Sequence, residues 1–131
     1  MNEIDKLAWI YIKNKRLLCA RSKGKDIYYI PGGKREKGET DQAALIREIK
    51  EEISVDLIPT TIKYAETFTA RAHGKLDGVL VKLTCYFAEF TGEIKASAEI
   101  EEVTWLSYED KVRCSPVTVM VMDWLKSASM I

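Results

Sequence analysis

Residues 33–55 read GKREKGETDQAALIREIKEEISV. Gly33 is followed after five residues by Glu39, and then by the pair Arg47 and Glu48. Ile49, Lys50, Glu51 and Glu52 come next, and the run closes on apolar Val55. At average residue frequencies, six such identities with two apolar positions arise by chance on the order of once in 10⁸ starting points. Glu48, Glu51 and Glu52 stand at i, i+3 and i+4, so on a helix all three project from one side. Taken alone, such a trio would be an ordinary solvated face. The rest of the segment argues otherwise. Gly32 and Gly33 supply backbone freedom just before the acidic helix, so carbonyl oxygens can turn toward the point the carboxylates share. An Arg47–Glu51 surface pair is worth only about 0.3–0.5 kcal/mol, so orienting the carboxylate is its better use. Crowded carboxylates repel unless a divalent cation sits among them. Oxygen-only donors suit magnesium, with manganese as a substitute, whereas zinc favours His or Cys.

Outward from this run, residues 41–53 are expected to form the helix, with Thr40 as N-cap and Leu45, Ile46, Ile49 and Ile53 as its apolar stripe. On the N-terminal side, residues 7–12 are apolar at nearly every position, as in a strand covered on both faces. A polar turn at Lys13, Asn14 and Lys15 leads to a second strand over 16–20. Tyr28, Tyr29 and Ile30 read as a brief strand stopped by Pro31. On the C-terminal side, 60–72 and 79–90 are long β-prone runs joined by the turn 73–78, and 103–106 is a short strand. A last helix starts at Pro116 after Ser115, with Val117, Met120, Val121, Trp124 and Leu125 as its core face. The elements predict an α/β fold: a mixed β-sheet with helices on both faces, an α/β/α sandwich.

At 131 residues the chain suits one domain, 1–131, with no repeat or linker. Lysine plus arginine equals aspartate plus glutamate at 20 each, which argues against a stable nucleic-acid partner. No membrane span or signal peptide is read, and a cytoplasmic location is expected. Cys19, Cys85 and Cys114 are odd in number and widely spaced, as buried reduced thiols are. His73, the sole histidine, is expected in an exposed turn.

Residues 33–55, with the preceding YYIPGGK of 28–34, resemble the Nudix box of the Nudix hydrolases, the MutT-like pyrophosphohydrolases. The box covers 23 of the 131 residues. The resemblance implies a Nudix-type α/β/α sandwich in which a loop, helix and loop hold divalent cations, Mg²⁺ or Mn²⁺, against a pyrophosphate that water attacks. Carried across, Gly33 would offer a carbonyl, with Glu48 and Glu52 as main metal ligands. Glu51 would share in metal binding or activation of water, Arg47 would orient the glutamates, and Glu39 would support the loop. Ser54 stands where the family pattern has glycine, a position where a left-handed helix end costs other residues about 1 kcal/mol. The acidic run before Trp105 resembles the loop where relatives place a further metal-binding or general-base glutamate, with Glu99 first and Glu102 second.

Relatives that act on ADP-ribose or dinucleoside polyphosphates tend to carry Pro or Tyr roughly 15–18 residues beyond the box, where this chain has Ala70, Arg71, Ala72 and His73. The short chain looks more like the nucleoside triphosphate pyrophosphohydrolases, including those that remove oxidised nucleotides, and a small-molecule nucleotide is the expected partner. Tyr28 is expected to meet the base, and Lys34, Arg35 or Arg71 the phosphates. A nucleoside-diphosphate-sugar or capped-RNA pyrophosphohydrolase is the alternative within enzymes. A non-catalytic nucleotide-binding module is the alternative outside them, although Glu48, Glu51 and Glu52 are all retained. The oligomeric state is left between monomer and homodimer.

Overall fold

The computed structural model describes residues 3–72, 74 and 78–131. Strand β1 (Glu3–Ile10) lies at the centre, and its four apolar residues 7–10 are all buried. Side chains alternate across a strand, so the run divides between two cores. Leu7 and Trp9 face one cluster, Ala8 and Ile10 the other. Strands β2 (Ile12–Lys13) and β3 (Arg16–Ser22) form the expected hairpin. Its two turn residues, Asn14 and Lys15, have φ of 53° and 63°, the left-handed pair that matches the twist of a tight hairpin. Leu18 then joins the cluster of Trp9, while Leu17 and Cys19 join that of Ala8.

Strand β4 (Gly32–Gly33) pairs antiparallel with β1. Helix α1 (Asp41–Ile53) follows with the expected bounds, and Thr40 Oγ1 accepts from the Ala43 N–H at 3.1 Å. Leu45, Ile49 and Ile53 are fully buried against Leu7, Trp9 and Leu18, while Ile46 is half-buried at the margin. Burial of each such side chain contributes about 1.5–3 kcal/mol. A short ladder joins β5 (Asp56–Leu57) to β8 (Phe90–Thr91). Strands β6 (Lys63–Arg71) and β7 (Leu80–Phe87) are antiparallel, and β7 runs parallel to β1. The main sheet is therefore mixed, in the order β4-β1-β7-β6. A second sheet, β2-β3-β9, is antiparallel and includes β9 (Ile100–Leu106). Helix α2 (Pro116–Ser127) covers the other face, so helices flank the sheets on both sides as expected.

Four expectations about the elements need correction. The strand expected from residue 60 starts at Lys63, because Pro59–Thr61 form a 3₁₀ turn in which Thr61 Oγ1 bonds the Ile58 carbonyl at 2.7 Å. The run 79–90 is broken after Phe87. There the Ala88 carbonyl accepts the Trp9 indole N–H at 3.0 Å, and the Glu89 N–H goes to Thr61 Oγ1 at 2.9 Å. Tyr28 and Tyr29 make only isolated bridges, to Cys114 and Ala20. On α2, Val117, Val121 and Leu125 are buried and Trp124 packs against the core as expected, but Met122 takes the place expected of Met120, which is 40% exposed. The expected turn 73–78 lies partly outside the described residues, which exclude His73, Lys75, Leu76 and Asp77. Cys19, Cys85 and Cys114 are free and buried. Among the described residues, no helix is long and apolar enough to cross a membrane.

Candidate active site

The loop before α1 runs close under the helix, and two glycines make this approach feasible. A Cβ at Gly32 would overlap the Leu7 carbonyl oxygen, and one at Gly33 would overlap the Glu48 carboxylate. Arg47 ties the loop to the helix. Its guanidinium donates to both Glu39 oxygens at 2.7 Å, to the Lys34 carbonyl at 3.1 Å and to Glu48 at 3.2 Å. Paired with Arg47 and accepting the Glu36 N–H, Glu39 is held down to about 2. This bidentate pair fastens the loop to the helix.

Glu48 and Glu52, one helical turn apart, line a cleft of about 770 Å³. Burial pushes Glu52 up to about 7, with repulsion from Glu48 and Glu51 adding to it and the Gly32 N–H, 3.1 Å from its Oε1, opposing it. Burial likewise raises Glu48, with Glu51 adding and Arg47 opposing. Two half-buried carboxylates destabilised in their charged form, beside a backbone that no Cβ obstructs, fit a hard divalent ion. Glu51 lies close enough to Glu48 to raise it but outside the cleft wall. It is exposed and 3.5 Å from Arg47. Among the described residues, no three acidic side chains converge closely enough to hold an ion as they stand.

Across the cleft, Glu99 joins the wall with Glu48 and Glu52, whereas Glu102 does not. Glu102 accepts from the Tyr28 hydroxyl at 2.6 Å and from Arg21 at 3.3 Å, and these bonds lower its pKa. Tyr28, expected to meet the base, is thereby turned away from the cleft, with the Arg113 guanidinium 4.8 Å from its ring centre. Tyr29 takes its place, half-buried in the cleft wall with its hydroxyl 2.6 Å from Ser22 Oγ. The alternation of extended backbone explains the exchange, since only one of two adjacent tyrosines can face the cleft. Lys34 and Arg71 line the cleft as expected, and Arg35 does not. Arg35 instead bonds Asp41 and lies 3.0 Å from Asp5, and Asp41 accepts the Tyr86 hydroxyl at 2.6 Å.

The sequence reading also missed several lining residues. Lys6 comes from β1, Ser22 from β3, Ile27 and Ile30 from the segment between β3 and β4, and Val81 and Leu83 from β7. Val117 and Thr118 come from the first turn of α2, where Ser115 Oγ bonds Thr118 Oγ1 at 2.8 Å in place of capping the backbone. They are scattered along the chain, and only strand register hints that they meet. The cleft thus joins a carboxylate wall, four cationic side chains (Lys6, Lys25, Lys34 and Arg71) and an apolar wall.

The chain matches the model of a protein family described as the NUDIX domain over residues 6–116. Solved structures share its fold. The E. coli ORF135 protein is 24% identical with a TM-score of 0.74, over 98% of this chain and 94% of that one. A MutT NUDIX hydrolase from Burkholderia pseudomallei is 19% identical with a TM-score of 0.77, over 94% and 98%. A MutT structure from work on Aliivibrio salmonicida and Vibrio cholerae is 19% identical with a TM-score of 0.73, over 97% and 99%. No curated protein matches the sequence.

Proposed function

The chain belongs to the Nudix hydrolase family, and from that membership we propose that it is a Mg²⁺-dependent pyrophosphohydrolase converting a nucleoside triphosphate to its monophosphate and pyrophosphate. The observation that carries the substrate class is the composition of one cleft: Glu48, Glu52 and Glu99 beside Lys6, Lys34 and Arg71, with Ile27, Leu83 and Val117 on the apolar wall. A phosphate chain needs the charged groups and a base needs the apolar surface.

Glu48, Glu52 and the Gly33 carbonyl would hold Mg²⁺, or Mn²⁺ in its stead, with Glu51 near enough on the same helix to join them. The bound ion supplies Lewis-acid stabilisation of phosphate charge. Arg47 keeps Glu48 and the loop in register through Glu39 and Lys34. Lys34, Lys6 and Arg71 neutralise the phosphate chain, and Tyr29 and the apolar wall seat the nucleoside. Glu99 takes a proton from water as the water oxygen bonds to phosphorus, and the anhydride P–O bond between the α and β phosphates breaks. The leaving phosphate oxygen carries the displaced electron pair.

The test is a screen of product release over nucleoside triphosphates, nucleotide sugars, ADP-ribose and dinucleoside polyphosphates, each with Mg²⁺ and with chelator. Monophosphate plus pyrophosphate from a triphosphate, only with the cation, is the expected result. Release of single phosphate, or preference for ADP-ribose, would overturn the substrate class. Run in ¹⁸O-water, the same reaction shows which phosphorus is attacked, because the label stays with that product.

A further inference from the structure

Ser54 ends α1 with φ 68° and ψ 13°, the left-handed conformation that disfavours any residue bearing a Cβ. Its hydroxyl donates to the Lys95 carbonyl, 41 residues away, at 3.1 Å. Two backbone bonds run beside it: the Lys95 N–H to the Ile53 carbonyl at 3.0 Å, and the Ser97 N–H to the Glu52 carbonyl at 2.9 Å. Both polar backbone groups of Lys95 are therefore fastened to the end of the helix that carries Glu52. Past Ser97 the chain turns through Ala98, itself at φ 53°, with the Ile100 N–H closing on the Ser97 carbonyl at 3.0 Å. The Glu99 carbonyl then accepts the Lys23 N–H at 2.8 Å.

We propose that Ser54 is a positioning residue, whose hydroxyl on Lys95 holds the 95–99 turn so that Glu99 faces Glu48 and Glu52. This rests on the role given to Glu99 above. Two backbone bonds to the helix end and the Lys23 N–H on the Glu99 carbonyl hold the turn at its two ends. The Ser54 hydroxyl adds a third bond on the helix side, on the carbonyl of a residue whose N–H is already engaged, and so fixes the angle at which the turn leaves the helix. A proton acceptor must sit within hydrogen-bond reach of its water, and small misplacements lower the rate steeply. A serine in a glycine conformation is thus explained by what its side chain reaches.

The variants are Ser54→Gly, which relieves the backbone and removes the hydroxyl, and Ser54→Asn, whose amide tolerates the left-handed conformation and can donate to Lys95. Amide hydrogen exchange of residues 95–100 without substrate reads the tether, and the split between kcat and KM reads its consequence. Ser54→Gly should melt no lower than the natural protein. It should exchange at least about threefold faster in this segment and lose at least about threefold in kcat at unchanged KM. Ser54→Asn should restore both. Unchanged exchange in Ser54→Gly would overturn the tether. Faster exchange with unchanged kcat would overturn the positioning role, as would a loss of kcat that Asn does not restore. Exchange reads the tether whether or not the protein hydrolyses a nucleotide, so failure of the proposed reaction is distinguishable from failure of the tether.

Discussion

Glu52 is a carboxyl that burial holds up to about 7, against 4.5 in the unfolded chain. Folded, it binds its proton more tightly than unfolded. Its contribution to stability is therefore fully present below about pH 4.5 and is lost as pH rises through about 7. The difference amounts to at most about 3 kcal/mol. Glu39 acts in the opposite sense and in another window. Held down to about 2, it stabilises above 4.5, and this is lost as pH falls through 2. Melts of the cation-free protein should show Tm falling between pH 5 and 8, and Glu52→Gln should flatten that slope. A slope unchanged in the variant would show that Glu52 is not its source. Glu52→Gln is nearly isosteric, yet at saturating Mg²⁺ it should lower turnover at least about a hundredfold through lost metal charge. Full activity in a folded variant would remove Glu52 from the site. For the loop acid, Glu99→Gln should depress kcat more than KM, while Glu102→Gln should disturb chiefly the bonds from Tyr28 and Arg21. The reverse pattern would move the proton to Glu102.

At the scale of the element, α1 and α2 were unequally legible. On α1, capping, apolar stripe and acidic face agree in phase, so Thr40, Leu45, Ile49 and Ile53 lie where the pattern puts them. On α2 apolar residues occupy most positions, and a helix apolar nearly all round has no unique inner face. Packing against the cluster of Ala8, Ile10 and Leu17 chooses Met122 and leaves Met120 outside. Met122→Ala should therefore cost about 2–4 kcal/mol and Met120→Ala less than about 0.5 kcal/mol in urea unfolding. Equal losses would mean that the helix is rotated from this placement. The acidic helix has its own internal division. Glu48 and Glu52 are one turn apart and share the cleft, whereas Glu51, between them in sequence, is exposed outside it, and Arg47 reaches both Glu48 and Glu51.

On the scale of the whole molecule, the cleft is assembled from β1, β3, β4, β6, β7, α1, α2 and the loops between them. A nucleoside triphosphate should outcompete ADP-ribose by at least about tenfold in kcat/KM, about 1.4 kcal/mol at the transition state. Parallel progress curves for the two substrates check it, and parity or reversal would refute the triphosphate reading. The sequence by itself determined whatever is encoded within one turn or one strand. The helix of 41–53, its Thr40 cap, the loop glycines and the approach of Arg47 to Glu51 are local geometry, set by i, i+3 and i+4 spacing and by the room a missing Cβ leaves. Only the tertiary structure decided between neighbours that are chemically alike: Tyr29 over Tyr28, Glu99 over Glu102, Lys34 over Arg35, Met122 over Met120. Each choice depends on which side of an element meets a partner distant in sequence, as Tyr28 meets Glu102 across 74 residues. Local periodicity makes two faces distinct, but the packing of remote segments determines which of them becomes the inside.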